Sequence, residues 1–128
     1  MKTLTLSVGN APYLITAQVI FCGNDIVVVV GGSEKPHVGA VAMATPRTSL
    51  KDAAQISASA SVICGVGHKD DLPAREAALC LASRLNKNVA VSVGLHLDDA
   101  SADDIALLQK NFVELIEQIA TTILDANI

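Results

Sequence analysis

The chain has 128 residues and a formal net charge of −4, and among its 51% hydrophobic residues only Tyr13, Phe21 and Phe112 are aromatic. A length that buries one core predicts a single domain over 1–128, while an acidic balance without a Lys/Arg run, and without aromatic platforms for unpaired bases, argues against nucleic acid as a partner. The aliphatic run at 26–30 is far short of the ~20 residues that cross a bilayer, residues 1–7 alternate rather than form a signal peptide, and Cys22, Cys64 and Cys80 form no C-x-x-C pair, so a reduced, cytoplasmic, membrane-independent protein is expected, with the thiols as small buried hydrophobes.

Apolar residues recur at every second position over 4–8, Gly9-Asn10-Ala11-Pro12 supplies turn chemistry, and 13–21 alternates again, which predicts a hairpin. Gly23-Asn24 is a two-residue turn into a third strand at 26–30, whose lack of a polar face predicts a central strand covered on both sides. Gly31-Gly32 stops it, residues 33–36 loop, and 38–45 forms a fourth strand that Pro46 ends. After a polar link over 47–54, residues 55–66 alternate Ser57, Ser59 and Ser61 with Ala58, Ala60 and Val62, small enough for a helix to approach closely.

A helix begins at Asp70-Asp71, whose carboxylates can cap its free N–H groups, with Pro73 in the first turn and Asn86 to Asn88 at its end. Its inner face is Ala74, Ala77, Ala78, Leu81 and Leu85. A sixth strand covers 89–95. The last helix starts at Ser101-Ala102-Asp103-Asp104, with Ile105, Leu108, Phe112, Leu115, Ile116, Ile119 and Ile123 at three- and four-residue spacings. Leu107 and Leu124 broaden that apolar face towards what a second subunit needs, so a homo-oligomer stands as an open alternative to a helix buried only in its own core.

The order βββββαβα predicts an α+β, two-layer fold with a mostly antiparallel sheet of about six strands and two helices on one face. If tight turns make the first five strands an up-and-down meander, and a helix crossover returns the sixth parallel to the fifth, the loops after strands three, five and six share one edge. Those loops carry His37, His68 and His96. A histidine at a strand end often only bonds a loop carbonyl, but three at one edge make a candidate site.

Two chemistries compete there. Three imidazoles with Glu34, Asp70 or Asp98 suit zinc or ferrous iron, although spacings near thirty residues match no compact metal signature. Alternatively, Gly65-Val66-Gly67-His68-Lys69 before the helix N-terminus, with Gly31-Gly32-Ser33 approaching by backbone, suits a phosphate, unless these glycines only form turns. Nucleophilic catalysis is poorly supported, because Cys64 lies inside a strand and no serine sits in a nucleophile elbow.

Asp25-Ile26-Val27-Val28-Val29-Val30-Gly31-Gly32 running into Pro36-His37-Val38-Gly39, His68-Lys69-Asp70 opening the helix, and Gly94-Leu95-His96 before the next cap resemble the prenylated flavin chaperone LpdD-like family, which is associated with gallate decarboxylase. The resemblance covers nearly the whole chain in the same order. It implies a non-catalytic accessory protein that binds prenylated FMN or delivers it to a UbiD-like aromatic acid decarboxylase, with a flavin prenyltransferase as a further possible partner. It then gives the glycine loops (Gly31, Gly32, Ser33, Gly39 and Gly67) and Lys69 to the flavin phosphate, and His37, His68 and His96 to the phosphate or the polar edge of the ring. The alternatives are a small metal-dependent enzyme using the three histidines and a purely structural decarboxylase subunit. The scarcity of aromatic stacking partners implies a loosely held cargo, as a carrier that must release it requires.

Overall fold

The computed structural model describes residues 1–65 and 70–128; Val66, Gly67, His68 and Lys69 lie outside the described residues. The elements are β1 (Thr3–Val8), β2 (Ile15–Cys22), β3 (Asp25–Ser33), β4 (Ala40–Thr48), β5 (Ile56–Cys64), α1 (Asp71–Leu85), β6 (Val89–His96) and α2 (Ala102–Ala126). They build the predicted α+β, mostly antiparallel sheet with both helices on one face. The first two connections are the expected hairpins, and Gly23 (φ +62°) turns the chain where Cys22 pairs with Asp25.

Strand order departs from the meander: it is β1-β2-β3-β6-β4-β5, with β6 parallel to β3 and antiparallel to β4. The predicted neighbours β3–β4 and β5–β6 are therefore not neighbours. Val89, Val91 and Val93 are at most 1% exposed, a burial that neither edge strand reaches, whereas the serine-rich β5 goes to an edge. Residues 34–39 are long enough to pass the end of β6, and they bond to it on the way: Glu34 N–H donates to the His96 carbonyl (2.9 Å) and Gly39 N–H to the Val93 carbonyl (2.9 Å).

Two further expectations are corrected. Pro46 does not end β4, which runs on to Thr48. β6 pairs with β4 only over 40–44, so at Pro46 one side of the strand has no ladder to break. β3 is covered on one face only, since Ile26, Val28 and Val30 are buried under the helices while Val29 stays exposed. The thiols also differ from expectation, because Cys22 and Cys80 are half-buried and Cys64 is exposed on the edge strand.

The core is aliphatic. α1 packs across β4, β5 and β6, and α2 across β1 and β2 and against α1. Alanines face alanines where α1 meets β4: Ala74, Ala77 and Ala78 on the helix, and Ala40, Ala42 and Ala44 on the strand, are all nearly or fully buried. α2 buries Leu115, Ile119 and Ile123 and is pinned at its start. Ser101 Oγ accepts from Asp104 N–H (3.1 Å), and Asp104 Oδ2 accepts from Ser101 N–H (2.9 Å), a reciprocal cap. Tyr13 donates its hydroxyl to Asp104 Oδ1 (2.7 Å), and buried Asn111 donates to the Tyr13 carbonyl (3.0 Å), tying the β1–β2 turn to the helix. The Ser101 N–H and the Tyr13 hydroxyl hold the Asp104 carboxyl below its usual range, and that carboxylate raises Tyr13. No helix among the described residues is long and apolar enough to cross a membrane.

The alanine seam sets how close α1 lies. Ala78→Leu should therefore destabilise the fold by about 1–3 kcal/mol through overpacking, read as a lower urea midpoint at unchanged slope.

Candidate functional site

Because β3 and β6 run parallel in register, Ser33 opposite His96, their C-terminal ends open at the same edge. β5 ends there too, since it is antiparallel to β4, which starts there. The shared edge expected from strand parity is therefore present, although the strands reach it in a different order.

Glycines shape this edge by what they leave out. A Cβ on Gly94 would overlap the His37 carbonyl oxygen, and one on Gly39 would overlap Asp70 Oδ2. On Gly31 it would meet Pro36 Cβ at 2.9 Å, and on Gly32 the Leu14 carbonyl oxygen at 2.7 Å. These four glycines thus admit protein atoms: the Pro36-His37 loop over the ends of β3 and β6, the Asp70 carboxylate beside Gly39, and β2 against Gly32.

His37 Nδ1 lies 2.9 Å from the Lys35 carbonyl oxygen, an acceptor, so Nδ1 carries the proton that donates to it. That leaves Nε2 towards Asp70 Oδ2 at 3.5 Å. Asp70 stands at the N-cap position of α1 but makes no side-chain cap there, contrary to the expected capping role. Its carboxylate is turned to the imidazole instead. A second pair lies beside it, with His96 Nε2 at 2.8 Å from Asp98 Oδ1. Lys35 Nζ reaches the same carboxylate at 3.2 Å, and Glu34 Oε1 accepts from the Asp98 N–H at 3.1 Å. The His96 hydrogen bond, then Lys35, hold the Asp98 carboxyl below its ordinary value.

Both histidines border a cleft of about 720 Å3 between α1, the end of β6 and α2. Its walls are largely aliphatic: Leu72 and Pro73 from α1, Leu95 and Leu97 from β6 and beyond, and Ile105, Leu108, Phe112 and Val113 from α2. Asp70, Glu76 and Gln109 join the histidines as its polar lining.

Of the residues expected at the site, His37 and His96 are brought to one cavity. Gly67, His68 and Lys69 lie outside the described residues. Ser33 is close by, paired with His96, and its hydroxyl is buried with no hydrogen-bond partner among the described residues. Among the described residues no three of His, Cys, Asp and Glu are grouped to hold a metal ion. The apolar walls were not anticipated. Ile105 and Phe112 read as core from their helical spacing, and the usable signal in the sequence is Val113, an apolar residue of α2 outside that spacing, which is exposed in the structure.

The model of the prenylated flavin chaperone LpdD-like domain matches residues 9–124. No curated protein sequence matches the chain. Among solved structures it is similar to a chain from the crystal structure of a novel chaperone complex for yeast 20S proteasome assembly, at 17% identity and a TM-score of 0.56, over 97% of this chain and 95% of that one. At that identity the likeness concerns the fold alone.

Two outcomes are expected. Gly94→Ala should cost about 1–3 kcal/mol and speed amide exchange at His37, whose N–H bonds the Gly94 carbonyl. The lowered Asp98 carboxyl contributes stability that is full above the unfolded carboxylate value and lost as pH falls through its lower folded value. Asp98→Asn should therefore flatten the acid limb of the melting temperature against pH.

Proposed function

This chain belongs to the prenylated flavin chaperone LpdD-like family, and from that membership we propose that the cleft between α1 and α2 is where it holds prenylated FMN. The observation that supports this most is the cleft's two-sided chemistry, aliphatic walls with a histidine and carboxylate lining at the sheet edge. Its volume is that of an ordinary small-molecule pocket. The walls suit the ring system and the added prenyl-derived carbons, whose transfer from water is favourable by about 0.8 kcal/mol per buried CH2. Phe112 offers the ring one flat neighbour. His37 and His96 lie where the polar edge of the ring emerges, His37 held by the Lys35 carbonyl and Asp70, and His96 by Asp98.

The phosphate faces solvent. Asp70 and Glu76 in the lining, with Asp98 beside His96, repel a dianion, so the ring enters first. One aromatic wall and an open mouth fit a carrier that releases what it holds. The cofactor supplies decarboxylation chemistry to the enzyme that receives it, a UbiD-like decarboxylase in this proposal. The residues here only bind it, orient it and shield its apolar part from water.

Anaerobic titration with prenylated FMN, followed by flavin absorbance, should saturate at one equivalent. Ala100→Trp, which fills the cleft, should abolish binding with the circular dichroism unchanged. His37→Ala should weaken it about tenfold, equivalent to ~1.4 kcal/mol, and unmodified FMN should bind more weakly than the prenylated form. Binding that is absent, or indifferent to Ala100→Trp, removes the cleft from the carrier role.

A further inference from the structure

On the sheet face opposite the helices, which no described element covers, the central strands carry an apolar patch flanked by the Ser, Thr and Gln side chains of β1, β2 and β5. Along the strands the outward positions include Val27 and Val29 on β3, Ala90 and Ser92 on β6, and Val41 and Met43 on β4. Val29 is 41% exposed, Val41 39% and Met43 54%, and Ile63 on β5, beside Val41, is 79% exposed. Among the described strands Asp25 and Arg47 are the only Asp, Glu, Lys or Arg at outward positions. A contiguous apolar patch of this kind marks an interaction surface.

We infer that this face is the interface between two copies of the chain, packed sheet on sheet about a two-fold axis along β6. The register supports a second copy as the occupant. Val27, Ala90 and Met43 form one row across the three central strands, and Val29, Ser92 and Val41 form the next. Rotation about β6 sets Val27 over Met43 and Val29 over Val41 of the second copy, twice each. The small Ala90 and Ser92 lie on the axis, where the sheets come closest. The Ser92 hydroxyl there is buried without a hydrogen-bond partner among the described residues. The same rotation places Ile20, which neighbours Val27 on β2, over a shallow hollow of about 270 Å3 bordered by Met43, Thr45, Ser59 and Ser61.

Charge and area agree with this arrangement. Asp25 and Arg47 lie at the same end of the sheet on opposite sides of β6, so the two-fold axis sets each near the opposite charge of the other copy. About this axis five strands overlap, since β1 falls beyond β5 of the other copy, and five strands at ~4.8 Å spacing with about six residues at ~3.3 Å rise project to roughly 500 Å2 per copy. Two copies thus bury about 1,000 Å2 in projection, the size at which specific interfaces begin, and accessible area exceeds projection. The clefts lie on the helix side and stay open in such a dimer.

Light scattering behind size exclusion at micromolar concentration should give twice the mass of one chain for the wild type. Val41→Lys and Met43→Glu, both at exposed positions, should each give the mass of one chain with a cooperative melt retained. A wild-type protein of single mass overturns the proposal. So does a dimer that survives both substitutions, because the contact then lies elsewhere, at the β5 edge or along α2.

Discussion

Gly94 has no room for a side chain, because the His37 backbone occupies the space where its Cβ would stand. From this close approach most of the site follows. It lets residues 34–39 cross the end of β6 in hydrogen-bonding contact, and the crossing is what frees β6 to lie between β3 and β4. With β6 in the middle, its valines reach the most buried positions of the sheet. The same loop delivers His37 to the cleft, and Gly39, the last residue before β4, leaves the gap that Asp70 fills. Close backbone approach and the backbone hydrogen bonds it permits therefore hold the edge together.

The polar contacts are distributed unevenly between the two histidines. The His37–Asp70 contact is the less exposed, with side chains 25% and 13% accessible, so water screens the field of the Asp70 carboxylate less there. His96, Asp98 and Lys35 sit further out in solvent, where an ion pair contributes little to stability and mainly orients its members. His37, Asp70 and His96 thus line the cleft, while Asp98 and Lys35 hold their charges beside His96.

Element types were legible in the sequence because period-two and period-3.6 patterns are local properties: all eight elements stand in the expected order. The Ser101–Asp104 cap was legible for the same reason. Strand neighbours were not, since β5 and β6 differ little in local pattern, and only competition for burial sends the valine-rich strand inward and the serine-rich one to the edge. Parity survived this error because insertion of β6 between β3 and β4 preserves which ends point together. At the site, His37 and His96 could be found from their glycine-bearing strand ends. Asp70 reads both as a helix cap and as a carboxylate for the histidines, and local pattern does not choose between them; the missing Cβ of Gly39 makes room for the carboxylate to turn to His37. The cleft walls were hidden because an apolar residue that lines a cavity has the same spacing as one that fills a core.

The sheet carries apolar surface on both faces, in different settings, and this is a reason to assign them different work. On the helix side a cleft opens between α1, α2 and the end of β6, with aliphatic walls and a histidine and carboxylate lining, a setting suited to a small molecule. On the other side the face is broad and nearly uncharged, with only a shallow hollow beside Met43, and is wide enough for another sheet. β6 is common to both: Leu95 contributes to the cleft, and Ala90 and Ser92 to the flat face. Alternation along one strand thereby places the bound group and the second copy on opposite sides of the same backbone, so neither need exclude the other.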